Sequence, residues 1–169
     1  LESGEHLMVV INEILDFSNL EQGSLVFVQE EFELSKLLVP IKNSFQPQAS
    51  EKKLQLIFDT NSLPEDLILV GDKTRIRQVI YNLVGNAIKF TSDGQVKVVL
   101  KYESDKNELC IQVSDTGIGI PSHRLKGIFN AFEQADVRTM HDFGGTGLGL
   151  SIVKKICLSM GGDITVTSE

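Results

Sequence analysis

The 169-residue chain holds only two cysteines, and no apolar run approaches the ~18 residues needed to cross a bilayer. No charged-then-apolar leader ends in a small-residue cleavage site, so any membrane anchor of a parent protein is expected outside this piece. Cys110 and Cys157 stand alone, with neither a C-x-x-C pair nor a histidine cluster beside them, which argues against a disulfide framework or a metal role. Both are expected to be reduced thiols packed in a cytosolic core. Positive charge is also scarce: 16 basic residues against 23 acidic ones give a formal charge of -7, the wrong sign for holding nucleic acid by its phosphates. A small anionic ligand remains compatible, because helix starts and a few placed cations bind phosphate locally whatever the total charge. Internal repeats and low-complexity tracts are missing. What is present is 41% apolar residues, enough for one substantial core, and a length that suits one domain with a short appendage.

Leu7, Val10, Ile14 and Phe17 recur at steps of three and four, an a/d seam that Ile11 and Leu15 widen, so residues 1 to about 20 read as a helix that needs a partner helix. Gly23 is a suitable stop. A strand is expected over Leu25 to Phe32, a helix over Leu34 to about Ala49 and strands over Leu54 to Asp59 and Leu67 to Val70. Asp72 is placed to cap a long helix from Lys73 to Phe90. Val96 to Tyr102 and Leu109 to Asp115 read as a hairpin around Ser104-Asp105-Lys106-Asn107. A short helix near Ser122 to Lys126, a last helix over Leu148 to Met160 and a strand over Asp163 to Thr167 complete the reading. A hairpin among strands mixed with helices argues against a parallel βαβ stack and for a mixed sheet covered on one face by helices.

Three segments carry chemistry. On the Lys73 to Phe90 helix, Ile76, Val79, Ile80, Leu83, Ala87 and Phe90 form the expected core face, while Arg75, Gln78, Asn82, Asn86 and Lys89 form a wholly polar stripe. Asparagine is a poor helix former, so two of them one turn apart ask for a reason. Their amide oxygens suit a hard cation, directly or through water, and Lys89 one turn on suits an anion held by it. The same stripe also fits a solvated helix face. Asp115-Thr116-Gly117-Ile118-Gly119-Ile120-Pro121 leaves a strand end, where a buried carboxylate can accept from an exocyclic amino group such as that of adenine. It equally fits a turn or an aspartic-protease half-site. Phe143-Gly144-Gly145-Thr146-Gly147-Leu148-Gly149-Leu150 sets glycines before an apolar helix, an arrangement that offers N–H groups and the positive helix end to phosphate. It is neither a P-loop nor a first-strand dinucleotide fingerprint. Together the segments suit a single nucleotide.

These strings, with Phe129-Asn-Ala-Phe132-Glu-Gln between the last two, resemble in order and spacing the N, G1, F and G2 boxes of the histidine kinase ATPase domain, whose fold is shared in outline with the gyrase, Hsp90 and MutL ATPases. Phe132-Glu-Gln-Ala-Asp136 looks most like bacterial hybrid sensor kinases. The resemblance implies an α+β fold, a two-layer Bergerat-type α/β sandwich with a mixed, mostly antiparallel sheet, helices on one face and an N-terminal helix before it. Residues 1–22 would be the end of the second dimerisation and phosphotransfer helix plus linker, and 23–169 the catalytic domain, which in the family continues past Ser168-Glu169 with a glycine turn and a closing strand. Asn86, with Asn82, would position Mg²⁺ on ATP, and Lys89 would contact phosphate. Asp115 would bind the adenine amino group, with Gly117, Gly119 and Ile120 shaping the pocket around it. Phe129 and Phe132, which also fit ordinary core, would anchor a lid over about Asn130 to Phe143, and Gly145, Thr146, Gly147 and Leu148 would close over the phosphates. The lid's usual basic residue is replaced near the glycines by His141-Asp142, for which Arg138 would compensate.

The implied reaction is transfer of the ATP γ-phosphoryl group to a histidine on the phosphotransfer helix of the same or a partner subunit, for relay to the aspartate of a response regulator receiver domain. The implied parent is a homodimer with its catalytic part in the cytoplasm and an anchor in the inner membrane. The family's His-Glu substrate motif is missing here, and His6, lacking the following acidic residue, is expected to be a surface helix residue. Two rivals are an ATP hydrolase with nucleotide-driven dimer closure, for which a glutamate in place of Asn82 would be expected, and a nucleotide-binding regulatory module without catalysis.

Overall fold

The computed structural model describes residues 2–23, 26–131 and 146–169. Its elements are α1 (Glu2–Glu21), β1 (Glu30–Glu33), α2 (Leu34–Glu51), β2 (Gln55–Asp59), β3 (Ile68–Gly71), α3 (Lys73–Phe90), β4 (Gln95–Glu103), β5 (Glu108–Asp115) and α4 (Gly149–Ser159). They form two compact units: Phe27–Gly119, and Leu1–Val26 with Ile120–Glu169.

In the unit Phe27–Gly119 the expected single sheet is two. β1 pairs antiparallel with β3, and β2, β4 and β5 form a three-stranded sheet in that order. There β2 runs parallel to β4, from Gln55 opposite Gln95 to Asp59 opposite Val99, and β5 runs antiparallel to β4. Val96, Val98 and Leu100 of β4 are fully buried, and Leu109, Ile111 and Val113 of β5 pack on the same side. Against this face lie Leu34, Leu37, Leu38, Ile41, Phe45 and Ala49 of α2 and Ile80, Val84, Ala87 and Ile88 of α3. Period two on the strands and 3.6 on the helices thus meet in one layer. Pro40 and Pro47 of α2 sit a heptad apart on its exposed face, where water can satisfy the carbonyls they leave unpaired.

Strand β1 is shorter than the predicted 25–32 run and begins only at Glu30. Helix α3 has the predicted limits, and Asp72 caps it: Oδ1 accepts from the Arg75 N–H and Oδ2 from the Val28 N–H, both at 3.0 Å. Its core face holds Val79, Ile80 and Ala87 as predicted, with Ile76 packed half-buried against the core, but extends toward Val84 and Ile88. Val84 and Ile88 are buried, whereas Ile76, Leu83 and Phe90 are only half-buried.

Gly85 lies mid-helix with the Phe45 ring beside it, where an added Cβ would meet ring carbons at 3.7 and 3.9 Å, ordinary contact distances. Gly85→Ala should therefore stabilise the chain by about 0.5–1 kcal/mol, the helix-interior difference between the two residues. A thermal unfolding midpoint raised by about 1–4 °C would register it, and a lowered midpoint would show that the site has no room.

In the other unit, α1 stops as expected at Gly23, whose φ is +62°, with the Gly23 N–H donating to Leu20 O at 3.3 Å. The seam predicted to need a partner is exposed at Leu7, Ile11, Ile14 and Leu15. Lys155 of α4 joins α1 twice, by an ion pair to Glu21 at 2.6 Å and over the Phe17 ring at 4.5 Å. α4 buries Ile152, Val153 and Ile156. Ser122 to Phe129 form consecutive turns in place of the predicted short helix, the Arg124 and Ile128 N–H groups reaching only Pro121 O and Arg124 O. Residues 163–167 enter no ladder among the described residues, contrary to the predicted strand. Cys110 is exposed on β5, not packed in a core, while burial pushes the Cys157 thiol up from its ordinary range. No helix of the described residues is long and apolar enough to cross a membrane.

Candidate functional site

The polar stripe of α3 is not a solvated face. Arg75, Gln78, Asn82, Asn86 and Lys89 are all half-buried, and the exposed side of the helix carries Lys73, Thr74, Arg77 and Tyr81 instead. Stripe residues bond to one another: Arg75 Nη1 donates to Gln78 Oε1 at 2.7 Å and Asn86 Nδ2 to Asn82 Oδ1 at 3.1 Å. The second bond orients both amides and uses a donor of Asn86, leaving its carbonyl oxygen as an acceptor for a ligand. Lys89 extends its ammonium over the Phe90 ring at 5.1 Å.

The same helix end holds the Asp115–Gly119 segment. Phe90 O accepts from the Ile118 N–H at 3.3 Å, and Asp115 Oδ1 accepts from the Gly117 N–H at 2.8 Å. A Cβ at Gly117 would lie 2.5 Å from Phe90 O and 2.7 Å from Asp115 Oδ1, so only glycine permits this approach. Gly119 has φ +68°. Thr116 clasps the segment to the start of β4, accepting from the Gln95 N–H and donating to Asp93 O, both at 3.0 Å. Inside Phe27–Gly119, the helix that carries Asn82, Asn86 and Lys89 is thus joined at its C-terminal residue, Phe90, to the segment that carries Asp115 and Gly117. Asp115 differs from expectation in being exposed, because β5 is an edge strand and Asp115 is its last residue.

Ile120, Phe129, Thr146, Gly147 and Leu148 belong to the other unit. The Ile120 N–H donates to Ser168 Oγ at 2.8 Å, and the Phe129 ring lies under Lys154 at 5.3 Å. Thr146 Oγ1 accepts from the Leu148 N–H at 3.2 Å, Gly147 takes φ +71°, and Leu148, almost fully buried, starts α4 by accepting from the Ile152 N–H at 2.9 Å. Leu148, the residue before α4, makes no side-chain cap bond to the helix. Phe132, Arg138, His141, Asp142 and Gly145 fall outside the described residues.

Sequence reasoning missed two supports of the α3 end. Thr91 Oγ1 donates to Ala87 O at 2.6 Å, and Lys52 Nζ reaches Ile88 O at 2.7 Å and Lys89 O at 3.0 Å. A threonine just past a helix was a readable signal. Nothing in the sequence pattern pointed to Lys52, 36 residues from Ile88.

Comparison with known proteins matches the same segments. The autoinducer 2 sensor kinase/phosphatase LuxQ of Vibrio vulnificus strain YJ016 is 42% identical over 99% of this chain, which spans only 20% of that protein. Full-length ShkA in complex with AMPPNP superposes with a TM-score of 0.85 at 32% identity, covering 99% of this chain and 34% of ShkA. The histidine kinase ThkA in complex with the response regulator protein TrrA gives 0.71 at 29% identity, over 95% of this chain and 42% of ThkA. The family model described as histidine kinase-, DNA gyrase B-, and HSP90-like ATPase matches residues 71–169, from the end of β3 through α3, the Asp115–Gly119 segment and α4. With that match over more than half its length, the chain belongs to the histidine kinase-, DNA gyrase B- and HSP90-like ATPase family.

Proposed function

We propose that this chain is the ATP-binding catalytic segment of a two-component sensor histidine kinase, with residues 23–169 as the catalytic domain and 1–22 as the end of the dimerisation and phosphotransfer helix with its linker. The observation that carries the reading is the half-buried Asn82–Asn86–Lys89 stripe, tied through Phe90 O to the Asp115–Gly117 segment. Amide oxygens without thiolate or imidazole suit Mg²⁺, which takes few protein ligands and completes its shell with water and phosphate oxygens. Asn86 and Asn82 would hold that ion and Lys89 a phosphate. Asp115 would accept from the adenine amino group, exposed at the strand end until the base covers it. Thr146, Gly147 and Leu148 would offer the α4 start to phosphate, and Gly145 and Arg138 would act from the lid.

When bound, Mg²⁺ neutralises phosphate charge, and the residues supply position. A neutral imidazole attacks the γ-phosphorus, a P–N bond forms, the bond to the bridging oxygen breaks and ADP leaves. Asn82 supports transfer over hydrolysis, because an amide cannot take a proton from water as a glutamate does. The exposed α1 seam of Leu7, Ile11 and Ile14 supports a partner helix and hence a dimeric parent. A receiver domain as relay partner is suggested by the TrrA complex of ThkA. ATP as the phosphoryl source supports a cytoplasmic setting for this segment, within a parent that would be anchored in the inner membrane.

Mixed with a separately made, histidine-bearing helical bundle of the same parent, labelled ATP and Mg²⁺, the chain should transfer acid-labile label to the bundle. Binding of ATP without transfer would leave the regulatory module, and steady release of free phosphate would favour the hydrolase.

A further inference from the structure

A helix leaves its last four carbonyls without intrahelical partners, and many helices solve this with a left-handed glycine. Helix α3 does not: its C-cap, Thr91, is extended at φ −103° and ψ 125°. Each orphan carbonyl instead finds a donor, two of them sharing one. Ala87 O takes the buried Thr91 hydroxyl, Ile88 O and Lys89 O take the Lys52 ammonium, and Phe90 O takes the Ile118 N–H. Lys52 Nζ also lies 3.4 Å from Thr91 O, so one cation spans three carbonyls at the negative end of the helix. The side chain is aimed by the turn that ends α2. Lys53 accepts a left-handed φ of +58°, the Lys53 N–H bonds Ser50 O and the Leu54 N–H bonds Ala49 O at 2.8 Å.

We infer that Lys52 is a positioning residue for the phosphate and Mg²⁺ side of the nucleotide site, an inference that rests on the reading of that site proposed above. The turn it clamps carries Asn86 and Lys89. With Ile88 O and Lys89 O deprived of their charged donor, that turn loosens and the two side chains lose their shared geometry. The adenine side meets the α3 end only at Phe90 O, which Lys52 does not touch, and has a second anchor: Thr116 holds the Asp115 segment to Asp93 and Gln95. Lys52 therefore acts selectively on the phosphate end.

The test compares the whole chain with Lys52→Met and Lys52→Arg in chemical-shift titrations with Mg-ATP and with adenosine, well below the unfolding midpoint. Lys52→Met should weaken Mg-ATP about tenfold, as loss of a support behind a metal ligand does. Adenosine affinity should stay within about twofold. Lys52→Arg, still a cation with several donors, should recover most of the loss. If Lys52→Met does not fold, Lys52→Gln, which keeps a neutral donor, should show the same split at about threefold. Unchanged Mg-ATP affinity, or equal weakening of both ligands, would overturn the inference. Failure of the unsubstituted chain to bind Mg-ATP at all would instead bring down the site reading beneath it.

Discussion

Asp115→Asn should leave the chain folded and reduce its affinity for ATP at least about 100-fold, near 3 kcal/mol. The carboxylate has two tasks that the structure separates. Oδ1 accepts from the Gly117 N–H at 2.8 Å, a role an asparagine oxygen can keep. The other oxygen is the acceptor proposed for the adenine amino group, and asparagine puts an NH₂ there, so that a donor faces a donor. Since Asp115 is exposed at the end of an edge strand, removing its charge should change folding stability by no more than about 0.5 kcal/mol. Titration with ATP beside a thermal melt gives both quantities. Affinity kept within tenfold of the starting chain would show that adenine sits elsewhere.

Gly117→Ala acts on the framework itself. The new Cβ would meet Phe90 O at 2.5 Å and the Phe90 carbonyl carbon at 3.0 Å, backbone atoms that cannot rotate away. The 115–118 segment would have to withdraw from the end of α3, breaking the Ile118 to Phe90 bond. Such overpacking costs about 1–3 kcal/mol, and ATP binding should be lost along with it. A melt showing the destabilisation with undiminished ATP affinity would separate the α3 end from the site. Gly85→Ala, on the same helix but facing the Phe45 ring at ordinary contact, makes the opposite change in stability and serves as the control.

How much of this was legible depends on where the information lies. Helix α3 was readable to its limits, because its cap Asp72 is adjacent in sequence and its apolar residues repeat over five turns. Its burial was harder. Two apolar columns run side by side, one through Leu83 and Phe90 and one through Val84 and Ile88, and the surrounding packing selects the second. The tract after Pro121 has helix-compatible residues, but its hydrogen bonds close single turns. Residues 163–167 have strand-like alternation, yet a strand exists only by pairing. The segments proposed to carry chemistry stood out because glycine, asparagine and aspartate at their spacing are uncommon choices for packing alone. Lys52 was not, since a lysine at the end of a helix looks like any solvated charge until the fold brings Ile88 to it.

The parallel pairing of β2 with β4 sets an order on how the molecule comes together. The β4–β5 hairpin closes across the four residues from Ser104 to Asn107, a local event. Joining Gln55 to Gln95 closes a chain of about 40 residues that contains β3 and all of α3, so its entropy cost falls before any contact rewards it. That same closure brings the Lys52 ammonium from the end of α2 to the carbonyls of α3. Nucleotide binding should therefore be among the last properties to return on refolding, which makes it a sensitive probe of the completed fold.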